Sequence, residues 1–170
     1  MIKWYDVIKE ALRMLQHKDE YAYFYGAKGQ KLTDAMMDAL WNASPAYFKK
    51  YTPEQKRAIY AYSRGKSGYD CSGFVGHCVG DMTYSMGLKG NCTPNKSLAD
   101  GVEGSIMWRN EPNRHVALDI GHGFFLEMGR EGYSVELNRI GECLNRFDGS
   151  GRHRNVDYLC KAEKLPARNV

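Results

Sequence analysis

Hydrophobic spacing divides the chain into a helical first half and a strand-forming second half. Residues 3–17 put Trp4, Ile8, Ala11, Leu12 and Leu15 at helical spacing with charges between them, which predicts an amphipathic helix. Tyr21, Tyr23, Phe24 and Tyr25 then form an aromatic cluster that closes on Gly26 and Gly29. Thr33 is a cap for a short helix over 34–42 whose buried side is Met36, Met37, Leu40 and Trp41, and Ser44-Pro45 breaks it. Thr52-Pro53-Glu54-Gln55 opens another helix, running to about Ser63, with a capping threonine and a proline at the first position. Residues 64–68 read as a flexible basic turn. Phe74, Val75, Cys78, Val79 and Met82 recur at helical spacing over 72–86 with no proline, and Asp70 is a good N-cap for that helix. Residues 87–101, rich in glycine, asparagine and serine, read as a loop. Beyond them the period becomes two, predicting strands at 105–109, 115–120, 124–130, 133–140 and 157–164, with Gly121-His122-Gly123 as a hairpin link. Helices followed by a hairpin-connected sheet make an α+β fold, with N-terminal helices packed on a central antiparallel sheet of about five strands.

Composition narrows what such a fold can do. With 170 residues, 43% of them hydrophobic, the chain is expected to be one domain with a substantial core. Its five cysteines are odd in number and form no C-x-x-C pair, so neither a zinc knuckle nor a dithiol redox motif is indicated, and no metal or cofactor is expected. A formal charge of +4, with both signs mixed, favours approach to an anionic surface such as a bacterial envelope. No basic block or basic-aromatic ladder argues for nucleic acid. Lys3, Asp6, Lys9, Glu10 and Arg13 fall within the first 16 residues, so that stretch reads as neither a signal peptide nor a membrane span. The expectation is a protein made in the cytoplasm.

The candidate chemistry centres on Cys71. A cysteine at a helix N-terminus feels unpaired N–H groups and the positive end of the helix dipole, and both favour the reactive thiolate. Gly73 lets a substrate or a neighbouring strand come close. A buried structural cysteine is the competing reading. A nucleophilic thiol needs an imidazole to take its proton and a third polar group to orient the ring. His17 ends a helix among charges, His77 is too far along the Cys71 helix, His122 is at a hairpin tip, and His153 lies in a basic, glycine-flanked loop. His115 remains. In its strand Val116, Leu118 and Ile120 face the core, leaving His115, Ala117 and Asp119 on the other face. In the next strand Phe124, Leu126 and Met128 face the core, leaving Phe125, Glu127 and Gly129 opposite. A register that aligns both core faces puts Glu127 diagonally across from His115, with Ala117 and Gly129 leaving room, while a slip of one residue destroys the pairing. The alternative is an exposed His and Glu on a wet sheet face.

Asp70-Cys71-Ser72-Gly73-Phe74-Val75 followed downstream by His115-Val116-Ala117-Leu118-Asp119-Ile120-Gly121 resembles the two signature blocks of the NlpC/p60 peptidoglycan endopeptidases, a papain-like cysteine peptidase superfamily. The resemblance extends to Gly104-Ser105-Ile106-Met107-Trp108, to Phe125-Leu126-Glu127-Met128-Gly129 and to Tyr23-Phe24-Tyr25-Gly26-Ala27. It implies a Cys71-His115-Glu127 triad, with Tyr23, Asp70 and Ser72 as oxyanion- or substrate-binding residues. Cysteine before histidine argues against circularly permuted relatives. The chain departs from the family in three ways. Its third residue, most often histidine, asparagine or glutamine there, is Glu127. Ser105 stands where an aspartate is usual, and a mostly helical insertion fills about residues 30–67. With the first helix, that insertion is expected to wall one side of the cleft and set substrate choice. The resemblance implies hydrolysis of amide bonds in wall stem peptides by a phage or prophage enzyme with tail or lysis partners. Holin release, virion delivery or secretion would bring it to the wall. Two other classes stay open: a cysteine amidase, isopeptidase or acyltransferase of this fold with a non-wall substrate, and a non-catalytic binding module.

Overall fold

A computed structural model describes residues 1–160. Strand β1, Ile2–Lys3, leads into α1, Trp4–Gln16. The buried face of α1 is Val7, Ala11 and Met14, one residue round from the predicted stripe, and Leu12 is exposed. Only the side of α1 that meets the core is covered, and apolar residues elsewhere on it stay in partial contact with water. Strands β2, Tyr21–Tyr23, and β3, Lys28–Lys31, flank the turn that holds Gly26, and Gly29 falls within β3. Helices α2 (Asp34–Ala43), α3 (Pro45–Phe48) and α4 (Pro53–Ser63) follow. The Thr33 hydroxyl accepts from the Met36 N–H, and Thr52 with Gln55 completes a reciprocal capping box.

Strand β4, Ser67–Tyr69, returns the chain to form a small sheet of order β2-β4-β3, with β2 parallel to β4 and Tyr23 opposite Tyr69. Segments that read locally as an aromatic cluster and a basic turn are therefore strands, because their partners are more than 40 residues away in sequence. The helices between β3 and β4 close over their own cluster of Phe24, Leu32, Met37, Phe48 and Ile59, with Trp41 stacked on Phe48 at 4.1 Å. Burying each phenylalanine there contributes about 2 kcal/mol.

Helix α5, Cys71–Val79, is shorter than predicted. Gly80 takes a left-handed conformation at φ 66°, the Asp81 N–H turns back to the Gly76 carbonyl, and a side chain on Gly76 would collide with the Asp81 backbone. The apolar spacing runs on to Met82, but that residue is 46% exposed. Helix α6 (Ser85–Gly90) and strand β5 (Cys92–Pro94) lie where a loop was expected.

Strands β6 (Ile106–Arg109), β7 (His115–Gly121), β8 (Phe124–Glu127) and β9 (Glu136–Arg139) are followed by α7 (Ile140–Cys143), a 3₁₀ turn at Leu144–Arg146, β10 (Gly149–His153) and β11 (Val156–Asp157). The main sheet has six strands in the order β5-β10-β6-β7-β8-β9, all antiparallel. Strand β10 was read as loop because of its glycines. A Cβ on Gly149 would lie 2.9 Å from the Trp108 indole, and one on Gly151 would lie 2.7 Å from the Thr93 carbonyl. His153 in that strand is buried against Asp81, not set in a basic, glycine-flanked loop. The predicted strand over 157–164 reduces to Val156–Asp157 paired parallel with β1, and its part beyond Cys160 lies outside the described residues.

Side-chain alternation follows the predicted parity. Val116, Leu118, Leu126 and Met128 pack with α1 and α5, while Met107, Ala117 and Phe125 face the other way. That second face is not wet, since Phe147, Ile140 and Cys143 cover it. Among the described residues no helix is long and apolar enough to cross a membrane.

Candidate active site

The start of α5 is fastened from several directions. Asp70 Oδ1 accepts from the Gly73 N–H at 2.6 Å, the Ser72 hydroxyl at 2.9 Å and the Lys28 ammonium at 3.0 Å, and Oδ2 accepts from the Gly26 N–H at 3.2 Å. Lys28 also touches the Ser72 hydroxyl. The Asp70 N–H donates to the Ala27 carbonyl, and a Cβ on Gly73 would stand 2.6 Å from that same oxygen. Residues 26–28 therefore lie against the first turn of α5, and glycine at 73 is a steric requirement. The side chains of Asp70 and Ser72 are engaged in holding this turn. Cys71 sits half-buried at the first helical position, where a backbone N–H has no intrahelical acceptor. Sequence reasoning overlooked Lys28, which becomes a candidate only once the pairing of β3 with β4 is known.

His115 opens β7, and the hairpin register sets Leu118 opposite Leu126 and Asp119 opposite Phe125. That register places Glu127 on the diagonal from His115, both on the strand face opposite Val116, Leu118 and Leu126. The two are 7% and 3% exposed. His115 Nε2 lies 2.6 Å from Glu127 Oε2, and the ring also interacts with the Cys71 thiol. Burial alone would push the imidazole pKa down. Hydrogen bonds with Cys71 and Glu127, reinforced by their charges, instead carry it up to about 9. Burial likewise works against the Glu127 carboxylate, yet His115 and Arg146 hold its pKa below the ordinary value.

Two further residues complete the surroundings of Glu127. Asn138 Nδ2 donates to Oε1 at 3.0 Å, and Arg146 Nη2 reaches Oε1 at 2.8 Å and Oε2 at 2.9 Å. The sequence offers a faint signal for Asn138, which shares a strand face with residues opposite β8. It offers none for Arg146, in a 3₁₀ turn without periodicity.

Tyr23 is buried beside Cys71, and its hydroxyl hydrogen-bonds Tyr47. Burial, then the neighbouring Cys71 charge, push its pKa well above the ordinary phenol value. Tyr47 and Tyr51 donate to Oε2 of Glu131 at 3.0 and 2.5 Å. Glu131 is 7% exposed, and its Oε1 has no hydrogen-bond partner among the described residues. Tyr25 stacks on Tyr47 at 3.9 Å. Tyr47, Tyr51 and Glu131 were not found from sequence, because the helices and the loop after β8 meet only in the fold. Of the other cysteines, burial pushes the Cys78 thiol well up and the Cys92 thiol up to about 12.

A thiol at a helix start, an imidazole against it and a carboxylate behind the imidazole can together carry out nucleophilic acyl transfer. The fold around them, several helices and an antiparallel sheet, is that of NlpC/p60 domains. The NlpC/p60 domain of the peptidoglycan hydrolase SagA matches 89% of this chain and 99% of its own at TM-score 0.55 and 17% identity. NlpC2 from Trichomonas vaginalis matches 87% of this chain and 47% of its own at TM-score 0.54 and 14% identity. An NlpC/p60 family protein from Bacillus cereus matches 51% of this chain at TM-score 0.43 and 20% identity, and there this chain spans 32% of the other's length. No protein-family model matches the sequence, and no curated protein matches it.

Proposed function

We propose that the protein is a cysteine peptidase that hydrolyses amide bonds in bacterial cell-wall stem peptides. What supports this is the hydrogen-bonded row Cys71, His115 and Glu127 at the junction of α5 and the sheet, in a fold shared with a peptidoglycan hydrolase domain. In the proposed reaction the Cys71 thiolate attacks the peptide carbonyl carbon, and the oxyanion is held by the Cys71 N–H and by the Tyr23 hydroxyl, once that is turned from Tyr47. Protonated His115 gives a ring proton to the leaving nitrogen, the C–N bond breaks, and an acyl thioester remains. Water then attacks the thioester with His115 as base, releasing the carboxylic product and restoring the thiolate–imidazolium pair. Glu127 keeps the ring oriented and stabilises its cationic form throughout. Helices α2 to α4, through Tyr47 and Tyr51, form one wall of the cleft and set substrate choice. The enzyme reaches the wall after holin release, virion delivery or secretion.

Incubation with purified peptidoglycan tests this. New amino termini should accumulate with the wild-type protein and not with Cys71→Ser. Turnover of a small amide without new termini from peptidoglycan would move the protein to the non-wall hydrolases. Equal, slow labelling of Cys71 and the other cysteines by iodoacetamide would remove it from catalysis altogether.

A further inference from the structure

Arg146 gives the Glu127 carboxylate a second cationic partner besides the His115 ring. One guanidinium nitrogen reaches both carboxylate oxygens, and the other terminal nitrogen lies 3.6 Å from the Cys143 sulfur. The guanidinium also lies 5.7 Å from the Phe147 ring and 6.0 Å from the Phe125 ring, and Phe147 packs beside the His115 ring at 6.2 Å. A residue of a short 3₁₀ turn is thereby clamped to the strand face that carries the imidazole.

The charges explain what the clamp does. With Cys71 ionised and His115 protonated, the row Cys71, His115, Glu127, Arg146 alternates in sign and sums to zero. Deleting Arg146 leaves a nearly buried site with net negative charge, which a carboxyl group relieves by taking up a proton. A protonated Glu127 no longer stabilises an imidazolium. Other groups near Glu127 do not replace the guanidinium. Glu136 sits directly opposite on β9 and pairs with Arg130 at 3.9 Å, Asn138 is neutral, and Cys71 and Cys143 bring no positive charge.

We propose that Arg146 is a positioning residue of this site, holding Glu127 ionised and oriented so that a carboxylate oxygen always faces Nε2 of His115. This rests on the proposed roles of Cys71 and His115. The test reads the thiol and not peptide turnover: the rate of Cys71 alkylation by iodoacetamide from about pH 4 to 10, followed by mass spectrometry, for wild type, Arg146→Gln and Arg146→Lys. Arg146→Gln should move the acid limb of the alkylation profile up by about 1 pH unit, and Arg146→Lys should restore most of that shift. Thermal unfolding of each variant is followed in parallel. Selective Cys71 labelling in the wild type with an unmoved limb in Arg146→Gln overturns the role of Arg146, whether or not the variant melts lower. Absence of selective Cys71 labelling in the wild type overturns the peptidase reading and this role with it.

Discussion

Glu127 and Glu131 are four residues apart and both buried, yet their surroundings differ in kind. Glu127 meets an imidazole, an amide and a guanidinium, and both its oxygens are occupied. Glu131 receives two phenol hydroxyls on one oxygen and has no partner on the other. An imidazole that gains and loses a proton needs a partner of fixed charge. Phenols whose pKa burial has pushed up stay neutral and need only an acceptor. One carboxyl group is therefore arranged to stabilise a charge and the other to hold rings in place.

The sharpest way to break this contrast is to truncate each. Glu127→Ala removes the acceptor of His115 and strands the Arg146 guanidinium, and kcat/KM on peptidoglycan fragments should fall by about 10²- to 10³-fold. Glu131→Ala should lower kcat/KM less than about 10-fold, its main cost being roughly 1–3 kcal/mol of stability from the freed tyrosine hydroxyls. Equal losses of activity in the two variants would abolish the distinction.

Acidity separates them next. The folded His115 pKa of about 9 exceeds its ordinary 6.5, so the stability contributed by its charged form is fully present below pH 6.5 and is lost as pH rises through about 9. Glu127 has the opposite sign. Its depressed pKa gives a contribution present above its ordinary 4.5 and lost as pH falls through the lowered value. The rate profile should accordingly fall on its basic limb near pH 9. In Glu127→Gln that limb should move down by about 1 unit or more, whereas Glu131→Gln should leave it in place. A shift of the same size in both variants would mean that Glu131 also acts on the imidazole charge.

How much of this was legible beforehand depended on whether a local pattern encodes it. Asp70 as a cap, Cys71 at the helix start and the diagonal of His115 and Glu127 follow from caps, strand parity and one hairpin, each confined to a few neighbouring residues. The alternation also identified which face of β7 meets the core. It could not show that the opposite face is covered, because Phe147 comes from a segment with no period of its own. Arg146 and Glu131 were invisible for the same reason: one lies in a 3₁₀ turn and the other in a loop. Strand β10 was hidden by Gly149 and Gly151, whose missing side chains make room for Trp108 and β5.

The smallest expected effect tests whether the two carboxyl groups act independently. Tyr47→Phe removes the hydroxyl that donates to Glu131 and hydrogen-bonds Tyr23, while the phenyl ring keeps its 3.9 Å stack on Tyr25. The lost hydrogen bond should cost about 1 kcal/mol, and kcat/KM should fall by only about two- to fivefold as Tyr23 loses an orienting contact. Combining Tyr47→Phe with Glu131→Gln should reveal a coupling of roughly 0.5–1.5 kcal/mol in unfolding, since the two side chains share one hydrogen bond. Combining Tyr47→Phe with Glu127→Gln should give losses that add to within about 0.5 kcal/mol, because no hydrogen bond joins Tyr47 to Glu127. Strong coupling in that second pair would show one continuous network running through Cys71, and the division between a charge-stabilising and a ring-holding carboxyl group would fall.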